Sequence, residues 1–487
     1  MNTGLVLSIG EIMQRSQVGF GTSGARGLVT DLTPSVCYAY TRGFLQYLAQ
    51  AHGLAAGSRV ALAGDLRPST PAIMAACARA VFDSGHVPIN CGFIPSPAVA
   101  YYGLCEAIPS LMVTGSHIPD DRNGIKFNRA DGEILKADED GIRAQQVVVP
   151  ELTFAEAIPG LPAEDPAARA LYLRRYLRFF PEHCLAGLRL GVYEHSGVGR
   201  DLLVELLSLL GAVVIRLGRS DRFVPVDTEA IRIEDVELAR AWAAELDLDA
   251  IVSTDGDADR PLISDEHGEW IRGDVIGVLC AYYLAIDRVV TPVSSNTIVE
   301  RCGWFEQVTR TRIGSPFVIA GMLAAVAEGK TVAGYEANGG FLLASDIERE
   351  GRMLRALPTR DAVLVILGVL LSAREQQCRL SELVGRLPRR YTASDRLKDF
   401  PTEKSRNCIS MLGSERETLQ QAFGPVCGEV TSTDMTDGLR ITFDNGEIVH
   451  LRASGNAPEL RCYCEAQSRQ RVSQINQACV SILAGWQ

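Results

Sequence analysis

Three aspartates, Asp255, Asp257 and Asp259, recur at every second position in STDGDADRPLI (253–263), directly behind the apolar run LDLDAIV. At a period of two along an extended chain they point the same way, and carboxylates that close repel one another. A hard divalent cation such as Mg2+ relieves the repulsion, because it favours oxygen ligands and leaves positions for water or a phosphate oxygen. The competing uses are a solvated acidic turn or a fragment of an EF-hand. The second fails, since the sixth position, glycine in an EF-hand, is Arg260.

TGSHIPDDRNGIKF (114–127) concentrates Ser116, His117 and Lys126 in one glycine-bounded loop behind the apolar run SLMV. A serine that accepts and returns a phosphoryl group needs such neighbours, and Lys126 could neutralise charge or move a proton. A turn or helix-capping hydroxyl is the alternative use of Ser116. Nothing nearby matches G-x-S-x-G, so a hydrolase elbow is set aside.

Three further loops carry weaker signals. GFGTSGARGLV (19–29) joins glycines, whose backbone N–H groups can approach phosphate, to the single cation Arg26. It is neither a Walker A motif nor a clean G-x-G-x-x-G. RASGNAPELR (452–461) offers Arg452, Ser454, Gly455, Asn456 and Arg461, the makings of a phosphate nest. GYEANGGF (334–341) sets Glu336 and Asn338 beside glycines, a carboxylate and an amide suited to vicinal hydroxyls. Each of these, taken alone, could be an ordinary polar turn.

The elements that must position these loops follow a repeated plan. SRVALAGD (58–65), GLRLGVYEH (187–195) and DRVVTPVS (287–294) each read as a strand, followed by a helix-like segment and a second strand. That rhythm predicts βαβ units with parallel or mixed sheets, three α/β domains in all. The last hundred residues differ: GLRITFDNGEIVHLRASG reads as two alternating strands about Asn445-Gly446, a hairpin in a separate α+β domain. PGLPAEDPAARA (159–170) and RLPRRYTASDRLKDFPTEK (386–404) have the composition of linkers.

The formal net charge of −11 and pI near 5.3 argue against nucleic acid or a membrane surface as partner, and leave room for a small anion in a locally basic pocket. No apolar run approaches the roughly 20 residues of a membrane span, and the N-terminus lacks the pattern of a signal peptide. A cytoplasmic location is expected. The thirteen cysteines are scattered without a C-x-x-C, which suits reduced thiols. Cys462 and Cys464 read as two positions on one strand face, not as a metal pair.

Together the five loops resemble the α-D-phosphohexomutase superfamily, especially its phosphomannomutase/phosphoglucomutase branch. The resemblance spans nearly the whole chain in the family's order: FGTSGARG, TGSHIPDDRNGIKF, DGDADR, GYEANGG, RASGNAPELR. It implies four domains around a central cleft, three related α/β domains with mixed sheets plus a C-terminal α+β domain. The boundaries expected here are 1–160, 161–267, 268–388 and 389–487.

The resemblance further implies a phosphorylated Ser116, with Asp255, Asp257, Asp259 and a phosphoserine oxygen as ligands of Mg2+. It implies sugar contacts from Glu336 and Asn338, and substrate contacts from Arg260, Arg452, Ser454, Gly455, Asn456 and Arg461. Arg26, His117 and Lys126 become proton-transfer or electrostatic groups, with proton transfer given to Lys126 because a guanidinium surrenders a proton reluctantly. The implied reaction interconverts hexose 6-phosphate and hexose 1-phosphate through a 1,6-bisphosphate, which also serves as activator. A phosphomannomutase is expected, with phosphoglucomutase or phosphoglucosamine mutase as alternatives and a phosphoserine-dependent phosphatase as a different class. The expected partner is a small phosphosugar, and the expected state a monomer or dimer. Departures from the family pattern are Ala258 for a usual glycine, Asn338 for a common serine, and RIGSPFV (312–318), which lacks the Lys or His many members carry there.

Overall fold

A computed structural model of the chain describes residues 5–21, 24–149, 161–326, 329–454 and 458–486. Three of its sheets share one plan. In the first, Arg59–Gly64 lies parallel to both Val87–Phe93 and Ser110–Val113, and Ser110–Val113 turns back into antiparallel Arg122–Arg129. In the second, Arg189–His195 lies parallel to Val213–Arg219 and Ala250–Thr254, and the latter turns back into Pro261–Ser264. In the third, Arg288–Pro292 lies parallel to Gln307–Thr311 and Val332–Tyr335, which turns back into Phe341–Leu343. These inner strands are apolar runs buried on both faces, as parallel strands under helices must be.

One consequence bears directly on function. The turn from the third strand of each plan into its antiparallel partner carries Ser116 in the first sheet, Asp255, Asp257 and Asp259 in the second, and Glu336 in the third. The three loops richest in chemistry are thus the same loop of a threefold repeat. All three leave the carboxyl end of a parallel strand, where open α/β sheets place their ligands.

The C-terminal region forms a five-stranded antiparallel sheet in the order Tyr391–Leu397, Leu460–Ala466, Ile448–Ala453, Leu439–Phe443, Val430–Asp434. The expected hairpin is present. Gly446 closes it with φ 76°, its N–H donating to the Phe443 carbonyl at 2.8 Å. Helices Thr402–Ser414, Arg416–Cys427 and Arg469–Ala484 pack on one face. Along Leu460–Ala466, Leu460, Cys462 and Cys464 are buried against them, while Arg461 and Tyr463 on the other face are only half-buried.

The linker reading of 386–404 is overturned. Residues 391–397 are an edge strand paired residue for residue with Leu460–Ala466, and a helix starts at Thr402. The strand was masked because none of its residues is fully buried, so its composition stays polar. The second linker expectation is corrected in part, since a helix, Ala167–Phe179, begins inside 159–170; residues 159–160 lie outside the described residues. That helix packs against Ser96–Glu106 of the first sheet's layer. Its Tyr172 and Tyr176 hydroxyls both donate to Asp361 Oδ1, at 2.9 and 2.5 Å, beyond the third sheet. One apolar cluster therefore reaches into all three α/β layers, each of which also has a cluster of its own, whereas the C-terminal region has a separate core. Among the described residues no helix is long and apolar enough to cross a membrane.

Candidate active site

The three aspartates converge, but not by strand alternation. They sit on the turn between Ala250–Thr254 and Pro261–Ser264, and Ala258 takes the left-handed conformation, φ 58°, to bring Asp259 round. Asp255, Asp257 and Asp259 are fully buried, and each offers an oxygen within 4.8 Å of the others. Oδ1 of Asp257 and Oδ1 of Asp259 are buried with no hydrogen-bond partner. Orphaned carboxylate oxygens so close together are a poor use of buried charge unless a cation joins them. The donor set, all oxygen, fits Mg2+.

The serine loop reaches this cluster across the interface between the first two sheets. Ser116 Oγ donates to Asp255 Oδ2 at 2.7 Å. Ser116 is itself left-handed, φ 56°, so its placement is imposed by its surroundings. Gly256 explains how closely the loops approach: a Cβ there would lie 2.6 Å from the Ser116 carbonyl oxygen. Gly24 does the same for the glycine-rich loop, where a Cβ would lie 2.1 Å from the carbonyl of Ile125, next to Lys126.

A residue not singled out in the sequence holds the serine loop in shape. Arg67, fully buried, donates to the carbonyls of Ser116, Ile118, Pro119 and Arg122 at 2.6–3.2 Å. It pairs with Asp65 at 3.0 Å and stacks on the Phe223 ring at 4.0 Å. Asp65 also accepts from Thr114 Oγ1, which in turn accepts from the Ser116 N–H, both at 2.8 Å. The available signal was Asp-x-Arg in GDLRP, at the carboxyl end of a predicted strand.

The cations around the cluster are unequal. Lys126 Nζ donates to Asp257 and Asp259 at 2.6 Å each. Burial opposes its charge, but the two carboxylates outweigh burial and hold it above the ordinary lysine value. Arg26 is pulled the other way, down to about 10, by burial first and then by Arg260. His117 is pushed down to about 4 by burial and by Arg260. Arg260 Nη1 donates into its Nδ1 at 2.9 Å, so a neutral ring carries its proton on Nε2, 4.0 Å from Asp227. Burial, then Asp257, drives Asp255 above the carboxylate range, while Lys126 and Arg360 overcome burial at Asp259 and hold it below.

A cleft of about 660 Å³ opens from His117 and Arg260 toward the third and fourth sheets. Glu336 and Asn338 line it. Glu336 Oε2 accepts from Arg360 Nε at 2.6 Å, and Arg360 Nη1 lies 3.4 Å from Asp259, which ties the Glu336 loop to the aspartate loop. Asn338 Oδ1 accepts from the Gly340 N–H at 2.9 Å. At the far end Arg452, Ser454 and Arg461 line the cleft. Arg452 Nε lies 3.1 Å from Asp437 Oδ1, whose other oxygen accepts from the Ile313 N–H at 2.9 Å. Gly455 and Asn456 lie outside the described residues.

The far wall also holds a residue the linker reading had hidden. Arg396 lines the cleft and stands opposite Arg461, which stands opposite Arg452. Three guanidiniums thus run in a row across three strands of one sheet face. A chain of net charge −11 builds here the local basic pocket that small anions require.

Models for all four domains of the phosphoglucomutase/phosphomannomutase family match in order: alpha/beta/alpha domain I at residues 17–147, domain II at 174–268, domain III at 272–391 and the C-terminal domain at 409–481. The chain belongs to this family, within the α-D-phosphohexomutase superfamily. It is 46% identical to a phosphomannomutase of Salmonella muenchen, over 97% of this chain and 96% of that protein. It is also 46% identical to a phosphomannomutase of Sinorhizobium fredii, over 92% and 94%. A solved phosphoglucomutase/phosphomannomutase family protein of Burkholderia thailandensis shares the fold, with a TM-score of 0.71, 19% identity, and coverage of 96% of this chain and 97% of that one.

Proposed function

We propose that the chain is a phosphomannomutase that interconverts hexose 6-phosphate and hexose 1-phosphate through phospho-Ser116. The observation that carries this is the contact of Ser116 Oγ with Asp255, inside a buried cluster of three carboxylates, next to His117 and Arg260 of a cleft that is also lined by Arg396, Arg452 and Arg461. Ser116 is the phosphoryl carrier in this reading. Asp255, Asp257 and Asp259 would hold Mg2+, which when bound supplies charge neutralisation at the transferring phosphoryl group. Lys126 and Arg26 neutralise the same group, proton transfer at the accepting hydroxyl is given to Lys126 ahead of Arg26, and His117 and Arg260 border its path.

Arg452 and Arg461, with Ser454, Gly455 and Asn456, would hold the phosphate that is not reacting. The bisphosphate must present each end to Ser116 in turn, so this distal site reads phosphate and not sugar. Glu336 and Asn338 would hold two adjacent sugar hydroxyls in both orientations. The four units would be divided at 160, 267 and 388, with the cleft among them.

Parallel coupled assays on mannose 1-phosphate, glucose 1-phosphate and glucosamine 1-phosphate test the reading. Turnover of the mannose compound, activated by hexose 1,6-bisphosphate and with no net phosphate release, is expected. Steady release of inorganic phosphate would instead mark a phosphatase, and a strong preference for the glucosamine compound would overturn the mannose assignment.

A further inference from the structure

Strand Leu460–Ala466 has two faces with two different chemistries. Arg461 faces the cleft, whereas Cys462 and Cys464 point into the core of the C-terminal region. Two more thiols meet them there. Cys479 arrives from helix Arg469–Ala484 and Cys427 from the end of helix Arg416–Cys427; all four are buried in the same core. The sulfurs of Cys462, Cys464 and Cys479 lie within 4.8 Å of one another, and those of Cys462 and Cys464 are 3.8 Å apart. Two thiolates on one tetrahedral zinc, each at about 2.3 Å, stand about 3.8 Å apart.

We propose that Cys462, Cys464 and Cys479, whose sulfurs already meet, form a structural zinc site in the core of the C-terminal domain, with Cys427, buried in the same core, moving in as the fourth ligand when the metal binds. Two ligands on alternate strand positions and two from different helices make a closed, all-sulfur set, the kind that selects a thiophilic ion. The side-chain amide of Asn476 supplies the outer support such sites use: Nδ2 donates to Cys464 Sγ at 3.6 Å and to the Cys462 carbonyl at 3.2 Å. Zinc entering the site displaces the thiol protons to solvent and forms four metal–sulfur bonds, with no change of oxidation state. The ordinary alternative is a set of inert core thiols, since free cysteine is among the most buried residue types. What separates the two is convergence: three of the thirteen cysteines bring their sulfurs within 4.8 Å of one another from two elements, and Cys427 is buried in the same core.

The site would brace the strand that presents Arg461 and, through the pairing of Leu451 with Cys462, the strand end that presents Arg452. The test begins with the full chain, incubated with zinc and then dialysed without chelator. Elemental analysis should find about one zinc per chain retained, and titration with a mercurial should release it to a chromogenic zinc indicator. Cys464→Ser should abolish retention. Cys105→Ser, at an exposed thiol, should not, and neither should Asp257→Ala, which separates this site from a cation on the carboxylates. Asn476→Ala should weaken retention about tenfold, and loss of zinc should raise KM more than it lowers kcat. Should Cys464→Ser fail to fold, mercurial release from the native chain and thiolate-to-cobalt charge-transfer absorption in cobalt-loaded protein decide the matter. Protein that retains no zinc, a disulfide among these four residues by mass, or zinc that disappears with Asp257→Ala would each overturn the proposal.

Discussion

The two ends of the cleft are built on opposite principles. At the serine end most groups are buried and engaged: Ser116 on Asp255, Lys126 on two carboxylates, the serine loop on four hydrogen bonds from Arg67. At the arginine-lined end the side chains are half-open, with side-chain exposures of 22% for Arg452 and 35% for Arg461, and their ion pairs are at 3.1 and 3.7 Å. The serine end is built on the α/β layers joined by one shared core, whereas the arginines belong to a region with its own core. Chemistry that needs a reacting atom fixed to a fraction of an ångström favours the first design. Recognition of a group that arrives from either end of a flipping intermediate favours the second.

Mutations should divide along that line. Ser116→Ala should cost about a thousandfold or more in kcat, and intact mass should show no phosphate on the variant. Full activity without Ser116 would erase the distinction, because the serine end would then have no carrier. Arg67→Ala should act first on stability. It strands buried Asp65 and four loop carbonyls, and breaking a buried pair costs about 3–5 kcal/mol, read as a lowered urea midpoint with activity lost alongside. Arg452→Ala should fold normally and weaken apparent substrate binding about ten- to a hundredfold, equally for 1-phosphate and 6-phosphate substrates. Arg396→Ala should show the same pattern at smaller amplitude, and a loss on one substrate only would break the shared-site picture. Glu336→Gln sharpens the middle ground, with comparable losses of about 1–3 kcal/mol on mannose and glucose 1-phosphates.

The smallest effect is on acid stability. His195 and His450 are held down to about 4 by burial, against an ordinary value of 6.5. Their folded values lie below their unfolded ones, so the unfolded chain binds more protons and stability is lost as pH falls from about 6.5 toward 4. Thermal melts across that window should show the decline, and His450→Gln should flatten it. An unchanged slope would remove the histidines from the account.

How much of this was legible in the sequence follows the same division. The serine and aspartate loops could be read because they pack many reactive side chains into few residues. The repeat that carries them was visible as apolar strands. What escaped was single residues whose meaning is spatial. Arg67 and Arg360 are lone arginines until the fold brings loop carbonyls and carboxylates to them. Arg396 sat in a stretch read as linker because an edge strand open on its faces is written in polar residues. The aspartates converge by a left-handed turn at Ala258, which a period-two reading cannot express. Cys479 and Cys427 lie too far along the chain from Cys462 and Cys464 for spacing to join them.

The row of Arg396, Arg461 and Arg452 has a meaning for folding as well as for recognition. Like charges directly opposite on neighbouring strands oppose sheet formation, and Glu459 and Asp437 offset them only in part. An oxyanion seated on that row would thus complete the charge balance of the sheet, and its binding free energy would add to the stability of the native chain in proportion to the logarithm of its concentration. Occupancy of the row by such an anion would then firm the C-terminal sheet as well as mark it for recognition.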